Sequence, residues 1–491
     1  MKRAIVVGGG IGGLATALHL RDGASGVDGG LEVVVLEAAD RPGGNIRTER
    51  HRDFVIEKGP NGYLDNAPAT RALVRRLGLE EQVQKADEAA AERFLYRKGK
   101  LHPLPTGPLG FLMSSVLSVP GRLRVFGEPF ARARPDDVDE TIFDFASRRI
   151  GGEAASVLID AMVSGVFAGN VHELSLASSF PKMASMEEEH GGLVKAMVAR
   201  MRERRAAKKE VEERRARGED VEEMTEPGGP AGPGGTLTSF RDGLDTLPVA
   251  AAEELGEVVR CGAEVAAVEW RKGEGRDVEG KPWRVRTDPG ETLEADAVVA
   301  AVPSPRAAPL LESADGELAF AVGEMKTAGL AVVALALDAE AMGGAPHGFG
   351  FLVPRGTGPR ILGCLWDSSI FPGRAPEGRV LLRAMIGGAH DAEAVTLPEE
   401  ELVGRVRDDL MTTMGLAAEP LFTRVYRWPL GIGQYTVGHQ ERLDRIHGRL
   451  RARPGLWVAG SSYYGISMNA CIEKAEGQAD EILSFLRGAG P

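Results

Sequence analysis

A cluster of glycines close to the N-terminus constrains this chain more than any other feature. Gly8-Gly9-Gly10-Ile11-Gly12-Gly13 follows the apolar run Ala4-Ile5-Val6-Val7 and precedes Leu14, Leu18 and Leu20 at helical spacing. The run fits G-x-G-x-x-G between a strand and a helix. In such a unit the first glycine makes the tight turn and the second lets a pyrophosphate approach the backbone. The third lets the helix pack on the strand, and the helix N-terminus then faces the phosphates. Alone, the pattern implies only a dinucleotide.

Two further stretches narrow that reading. Val33 to Leu36 are continuously apolar, as expected of a buried parallel strand. Glu37 follows, where a carboxylate takes ribose hydroxyls and favours NAD or FAD over NADP. The gap from Gly13 to Glu37 exceeds the usual ~20 residues, and a Gly/Asp-rich loop from Asp22 to Gly30 accounts for the excess. Arg41-Pro42-Gly43-Gly44-Asn45-Ile46-Arg47-Thr48 then supplies a second anion-binding turn. The two turns together point to a tightly held FAD.

At 491 residues the chain is too long for one ordinary core, so two or more domains around one cofactor are expected. A net charge of -12 excludes a broad nucleic-acid-binding face. Cys261, Cys364 and Cys471 are too widely spaced for a disulfide framework or a zinc site, which suits a reducing cytoplasm. The histidines form no close ligand pair, so no metal is expected. The start of the chain reads as a strand, not a signal peptide, and no apolar run reaches the roughly 20 residues needed to span a bilayer.

Farther along, 65–87 has helical spacing (Leu73, Val74, Leu77, Val83), and 93–101 reads as a hairpin. Residues 104–130 are apolar, broken by Pro108, Pro120 and Pro129, and flanked by Arg122, Arg124, Arg132 and Arg134. The spacing predicts helices over 140–205 and a solvated charged helix over 200–226, with Glu210–Arg214 and Glu213–Arg217 at i,i+4. Pro227 to Gly235 reads as a linker. Strands are expected over 263–270, 283–287, 297–302, 331–337, 349–353, 380–385 and 456–459. Helices are expected over 244–255, 399–414 and 469–486.

The motifs GGGIGG, Glu37, RPGGNIRT and GPNGY (Gly59–Tyr63) are followed by RFLYRKGKLHPLP (Arg93–Pro105) and SGVFAGNVHELSL (Ser164–Leu176). HGFGFLVP (His347–Pro354), RWPLGIGQYTVGH (Arg427–His439) and AGSSYYGISMNACI (Ala459–Ile472) complete the series. Taken in order, they resemble the amine-oxidase superfamily of flavoproteins. Within it the chain resembles the protoporphyrinogen oxidases and the related coproporphyrinogen oxidases, over essentially its whole length.

The resemblance implies an α/β fold. An FAD-binding Rossmann-like domain of glutathione-reductase/amine-oxidase type would carry an α+β substrate domain and a helical insert. The expected division is FAD-binding parts at 1–85, 236–310 and 436–491, a helical substrate or membrane-docking insert at 86–210, the exposed helix and linker at 211–235, and a substrate domain at 311–435. Gly8, Gly9, Gly10, Ile11, Gly12, Gly13, Glu37, Arg41, Gly43, Gly44 and Asn45 would line the ADP and ribityl part. Gly59, Pro60, Asn61 and Gly62 would follow the isoalloxazine edge, Val265 the adenine, and Trp428, Ser461, Ile466, Ser467 and Met468 would close over the flavin. Arg93 would pair with a porphyrinogen propionate through its planar fork. Phe349, Gly350, Leu352 and Met385 would sandwich the macrocycle, with the Gly165 carbonyl nearby.

The implied reaction removes six hydrogens from a porphyrinogen in three flavin cycles, with O₂ as acceptor and H₂O₂ as product. His102, Tyr63, Tyr463 and His439 are available as bases, but nothing in the sequence ranks them. The resemblance leaves room for peripheral membrane contact through 104–130, for a homodimer, and for hand-over of product to ferrochelatase. Two positions depart from the family: Gly433 replaces a proline, and Ala470 replaces an aspartate at the start of the last helix. The second change is expected to weaken that helix's N-cap or to alter a flavin contact. The rival readings are coproporphyrinogen III as substrate, an amine oxidase or carotenoid desaturase, and a non-catalytic flavin-fold binder. The chain shows no aromatic cage or flavin-linked lysine pattern of an amine oxidase. The intact Glu37, the RPGG turn and the C-terminal loop argue against the binder.

Overall fold

The computed structural model describes residues 1–105, 107–134, 138–199, 201–202, 217, 235–271 and 280–488. The charged run and linker expected over 200–235 lie almost entirely outside them.

The apolar N-terminal strand sits in the middle of a five-stranded parallel sheet. Its order is Val259–Cys261, Leu31–Glu37, Lys2–Val7, Ala297–Ala300, Leu456–Val458. Because side chains alternate along a strand, Ala4, Val6, Val33 and Val35 face one layer and Ile5, Val7, Val34 and Leu36 the other. The first layer holds the helices Ile11–Asp22 and Met468–Leu486. The second holds Trp283, Val285 and the helices Ser304–Leu311 and Gly316–Gly323. Complete burial of each Val, Leu or Ile contributes about 1.5–3 kcal/mol, so both faces stabilise the sheet. The Lys2–Val7, Leu31–Glu37, Ala297–Ala300 and Leu456–Val458 strands end at one edge, which brings Gly8, Glu37 and Ser461 into one region. In open parallel sheets ligands bind at this carboxyl edge.

A second, seven-stranded sheet has the order Phe422–Gly433, Thr327–Asp338, Arg379–Gly387, Ile361–Leu365, Gly350–Leu352, Arg93–Arg97, Lys100–Pro103. Ala331, Val333, Phe351, Cys364, Leu382 and Ala384 on one face pack against Leu402, Val406 and Leu410 of the helix Glu399–Met414. On the other face Ala334, Ala336 and Leu381 pack against Phe54 and Ile56. A helical region over 142–190 has its own core around Phe145, Val163, Phe167 and Leu174.

Several elements differ from the sequence expectation. The helix of 65–87 is Pro68–Arg76 only; Gly78 (φ +65°) ends it, and Val83 lies in a strand, Val83–Lys85, paired with Leu237–Phe240. The strands Ile361–Leu365 and Phe422–Gly433 were not expected, nor were the helices Ser304–Leu311, Gly316–Gly323 and His439–Arg451. Phe422–Gly433 contains Arg424, Arg427 and Pro429 and lacks clean alternation. It forms an edge, where a proline removes no ladder hydrogen bond that the sheet needs.

Candidate functional site

The glycine turn separates into residues that shape the backbone and one that leaves space. A Cβ on Gly8 (φ +112°) would lie 2.5 Å from the Ala301 carbonyl oxygen, and one on Gly13 would lie 2.1 Å from that of Gly8. A Cβ on Gly10 would meet nothing within 4 Å. Gly10 also precedes the helix Ile11–Asp22, whose first turn has neither a side-chain cap nor an acidic residue. Its first-turn N–H groups therefore have no side-chain cap beside the open space at Gly10, as an anion site requires.

Glu37 is locked to this turn. One carboxylate oxygen accepts the Gly9 N–H at 2.7 Å and the other the Ala39 N–H at 2.8 Å. The RPGG turn stacks against the same glycines: Gly43 N–H donates to the Gly9 carbonyl at 2.8 Å, and Gly10 and Gly43 pair as a parallel bridge. Arg41 is held by Asp245 at 2.9 Å. Gly262 and Ala263 donate to the carbonyls of Ala39 and Glu37, which sets the strand bearing buried Val265 beside the Glu37 end.

From Gly44 the chain runs to Asn45, whose side-chain amide donates to the Gly431 carbonyl at 3.1 Å. A Cβ on Gly59 would sit 2.3 Å from the Asn45 carbonyl oxygen, so these segments are in close contact. Trp428 Nε1 donates to the Lys58 carbonyl at 2.7 Å. Pro60 is exposed. Gly62 packs against the Thr238 carbonyl. Both polar atoms of the Asn61 side chain are buried and have no hydrogen-bond partner. Buried polar groups are nearly always paired, so Asn61 calls for a ligand atom or water.

The C-terminal loop closes the other side. Tyr435 OH donates to the Ser461 carbonyl at 2.7 Å and accepts the Gly465 N–H at 2.6 Å. The Gly433 departure belongs to this contact: a Cβ there would lie 2.5 Å from the Ser461 carbonyl oxygen. The weakened cap expected from Ala470 is corrected by the structure. Ser467 Oγ accepts the Ala470 N–H at 3.1 Å and caps the helix Met468–Leu486 without help from residue 470. Ile466 packs against the Phe167–Tyr435 cluster, and Met468 is buried in the core of the parallel sheet. Cys471, one turn into the helix, lies 3.8 Å from where a Gly12 Cβ would be.

The candidate substrate residues share one face of the seven-stranded sheet. Pairing aligns Leu352, Gly363 and Met385 in one cross-strand row, and Arg93, Gly350, Leu365 and Arg383 in the next. Phe349 precedes this face, with the Arg93 guanidinium 4.9 Å from its ring centroid. Arg93 has no carboxylate partner among the described residues. A Cβ on Gly165, in the helix Asp160–Phe167, would strike Leu352 at 2.6 Å. Gly350 (φ +126°) crosses the Cys364 carbonyl so closely that no side chain fits.

Of the four candidate bases His102 alone falls in this register, opposite Leu95 in the row of Leu352. His102 is buried between Ser115 Oγ and the Arg97 carbonyl. Tyr63 packs on Phe240, and burial with nearby Asp65 pushes its hydroxyl up to about 12. His439 is buried with Nε2 against the Tyr463 carbonyl, and burial depresses its pKa, so it is neutral at pH 7. Burial raises the Tyr463 hydroxyl far above its ordinary value.

Sequence reasoning missed a set of buried charges beside the seven-stranded sheet. Arg383 pairs with Asp367, and Arg374 with Glu57 at 3.1 Å. Glu57 also accepts the Thr48 hydroxyl and the Leu244 N–H, while burial raises its pKa. The available signal was Arg383 itself, a lone charge in the apolar run Val380-Leu381-Leu382-Arg383-Ala384-Met385-Ile386.

The cleft fits an extended dinucleotide. It offers open space over Gly10 and also over Gly460, where a Cβ would again meet nothing. It also has a fixed carboxylate at Glu37, an uncapped helix end and the unpartnered Asn61 amide. Residues 11–483 match the family described as flavin containing amine oxidoreductase. The chain is 34% identical to the protoporphyrinogen oxidase of Homo sapiens, with 98% of each chain covered. It is 28% identical to the coproporphyrinogen III oxidase of Bacillus subtilis, covering 99% of this chain and 98% of the relative. A crystal structure of a candidate protoporphyrinogen oxidase from Exiguobacterium sp. 255-15 superposes with a TM-score of 0.79 at 26% identity, covering 98% of both chains. A putrescine oxidase variant superposes with a TM-score of 0.69 at 17% identity, covering 98% of this chain and 99% of that one, a likeness of fold alone.

Proposed function

The chain belongs to the flavin containing amine oxidoreductase family and is an FAD-dependent oxidoreductase, and on that premise we propose that it oxidises protoporphyrinogen IX to protoporphyrin IX with O₂ as acceptor. The observation that carries the choice of substrate is Arg93, a guanidinium with no carboxylate partner among the described residues, on a face whose other arginine, Arg383, is paired with Asp367. Protoporphyrinogen has two propionates, and an apolar wall suits the rest of its macrocycle. Coproporphyrinogen III has four and would call for more free cations. The nearest alternative, Arg97, is engaged with Glu153 and the Val116 carbonyl, and Lys98 and Lys100 sit at the hairpin turn beyond it.

Gly8 to Gly13, Arg41, Gly43 and Gly44 would hold the pyrophosphate, Glu37 the adenosine ribose, and the Val265 backbone the adenine. Asn45, Gly59 to Gly62, Trp428, Ser461 and Ile466 to Met468 would frame the isoalloxazine. Bound there, FAD supplies the hydride acceptor for three two-electron oxidations. The chain's own contribution is binding and exclusion of water. Arg93 pairs with a propionate bidentately, while Phe349, Leu352 and Met385 hold the macrocycle by contact. Gly165 keeps the slot narrow and presents its carbonyl. Because the candidate base on this face, His102, has both ring nitrogens engaged by Ser115 and the Arg97 carbonyl, pyrrole protons pass to water or to backbone carbonyls. A single replacement that abolished flavin reduction while sparing FAD and substrate binding would sink that last statement.

O₂ uptake and porphyrin fluorescence, measured side by side with protoporphyrinogen IX and coproporphyrinogen III, test the assignment. A higher kcat/KM for protoporphyrinogen is expected. A preference for coproporphyrinogen III would overturn the choice of substrate but not the flavin chemistry.

No helix among the described residues is long and apolar enough to cross a membrane. The surface over 112–130 is nonetheless apolar: Met113, Val119, Leu123 and Phe130 are 79%, 60%, 63% and 90% exposed. The proposal extends to peripheral docking of this surface on an anionic bilayer. Of the flanking arginines, Arg124 holds the carbonyls of Arg148 and Arg149, Arg134 pairs with Glu188, and Arg122 binds the Leu112 carbonyl. Arg132 is exposed and is the flanking cation available to lipid phosphate. Flotation with anionic liposomes is expected, and Leu123→Asp with Phe130→Asp should abolish it. Recovery of the unaltered protein wholly in the soluble fraction would refute docking.

A further inference from the structure

Three consecutive carbonyls lead into the Gly59–Gly62 segment, and side chains of the seven-stranded sheet hold all three. Arg383 Nη1 donates to the Glu57 carbonyl at 2.8 Å and to that of Gly59 at 2.9 Å. Trp428 Nε1 donates to the Lys58 carbonyl between them. Arg383 is in turn oriented by Asp367, which takes Nε on one carboxylate oxygen and Nη2 on the other at 3.3 Å. Both side chains are 1% exposed.

A buried ion pair is a weak device for stability, since an apolar pair of similar volume does as well. An apolar residue at 383 would, however, leave two buried carbonyls without a donor. Lysine brings one point charge, whereas the guanidinium presents a planar fork that reaches the carboxylate and both carbonyls together. Arg383 also lies two residues from Met385, on the same face of the same strand. One rigid side chain therefore links the wall bearing Met385 to the segment bearing the unpartnered Asn61 amide.

We propose that Arg383, oriented by Asp367, is a positioning residue that sets the separation between the flavin edge and the macrocycle by fixing Gly59–Gly62 against the substrate sheet. The inference rests on the porphyrinogen-oxidase reading. Hydride transfer requires reacting atoms about 3–3.5 Å apart, and a misplacement of about 1 Å costs on the order of a hundredfold in rate. Arg383 touches neither partner, so its effect belongs in the rate of flavin reduction and in the flavin's surroundings, not in substrate affinity.

The test compares Arg383→Gln, Arg383→Lys and Asp367→Asn in the FAD-loaded enzyme. Three quantities are read: the visible circular dichroism of the oxidised flavin without substrate, the rate of its reduction by protoporphyrinogen, and KM. Arg383→Gln, which reaches one carbonyl, is expected to alter the flavin dichroism and slow reduction about tenfold to a hundredfold, with KM within about threefold. Arg383→Lys should recover part of the rate, and Asp367→Asn should fall between it and the unaltered enzyme. A lower melting temperature with dichroism and reduction rate unchanged would show a merely structural role and overturn the proposal. If Arg383→Gln does not fold, the dichroism and reduction rate of Asp367→Asn decide it: values equal to the unaltered enzyme's refute the proposal. If the unaltered enzyme oxidises neither porphyrinogen, the substrate reading fails, while the dichroism of Arg383→Gln still tests the position of the flavin edge.

Discussion

The glycine cradle is almost wholly backbone, whereas the proposed substrate face is almost wholly side chain. In the cradle, Gly8, Gly13, Gly43 and Gly44 bring main-chain atoms within contact of one another, and the one essential side chain, Glu37, is itself tied to two backbone N–H groups. On the substrate face, Arg93, Leu352, Met385 and Arg383 come from three different strands and meet only because the sheet register aligns them. At Gly8 and Gly13 the cradle therefore tolerates no added atom, while the proposed substrate face discriminates by charge and shape.

The largest expected effects separate two kinds of glycine within the cradle. Gly13→Ala places a methyl 2.1 Å from the Gly8 carbonyl oxygen, so the turn itself must shift. A loss of about 3 kcal/mol or more in stability is expected, along with protein purified without flavin colour. Gly10→Ala meets no protein atom. Its melting temperature should stay near that of the unaltered apoprotein, while FAD affinity falls because the methyl occupies the space over the uncapped helix. Equal melting temperatures for the two variants would break the distinction. Glu37→Gln comes next: it weakens charge-assisted hydrogen bonds of about 1.5–3 kcal/mol, and titration with FAD should show affinity lower by about tenfold or more.

The same contrast explains what could be read in the sequence. The cradle was legible because contiguous motifs specify it: six residues at Gly8–Gly13, a carboxylate after the next strand, then RPGG. The parallel sheet followed from its continuous apolar runs. The sheet carrying the substrate face was half legible. Thr327–Asp338 and Arg379–Gly387 stand out as apolar runs, but Phe422–Gly433 has charges and a proline and gives no strand pattern of its own. Arg93 could be singled out only through the resemblance, since a lone arginine on a hairpin looks like any surface charge. The buried pairs of Arg383 with Asp367 and Arg374 with Glu57 were beyond reach, because their partners lie in other strands and loops and only the folded chain shows that each charge is paired.

A smaller effect tests the substrate face. Arg93→Ala removes a group that contacts the Phe349 ring and, among the described residues, no carboxylate, so the fold should lose little. A propionate contact of about 1.5–3 kcal/mol predicts KM for protoporphyrinogen higher by about tenfold to a hundredfold, with the flavin spectrum unchanged. Arg93→Lys should recover only part of this, because an ammonium cannot form the bidentate pair. An unchanged KM would remove Arg93 from the site and with it the argument for two propionates.

The smallest effect concerns the link between that face and the apolar surface at 112–130. Arg97, on the strand that begins with Arg93, pairs with Glu153 at 2.8 Å, and Glu153 accepts the Ser118 N–H at 2.9 Å and the Ser118 hydroxyl. Ser118 is the N-cap of the helix Val119–Phe126. Burial alone would raise the Glu153 pKa, but the Ser118 hydrogen bonds and Arg97 outweigh it and bring it down to about 2 from an ordinary 4.5. A carboxyl depressed in the folded state stabilises it above the unfolded pKa, and that contribution is lost as pH falls from about 4.5 toward 2. Because the carboxylate is partly exposed, solvent screening limits the effect to about 1 kcal/mol. Hydrogen-exchange protection factors across Ser118–Phe126, taken relative to the intrinsic rate at each pH, should therefore fall between pH 5 and pH 3 in the unaltered protein, more than in Glu153→Gln, where no carboxyl titrates. Equal pH dependence in the two proteins would show that the helix is held by its apolar contacts and not by Glu153.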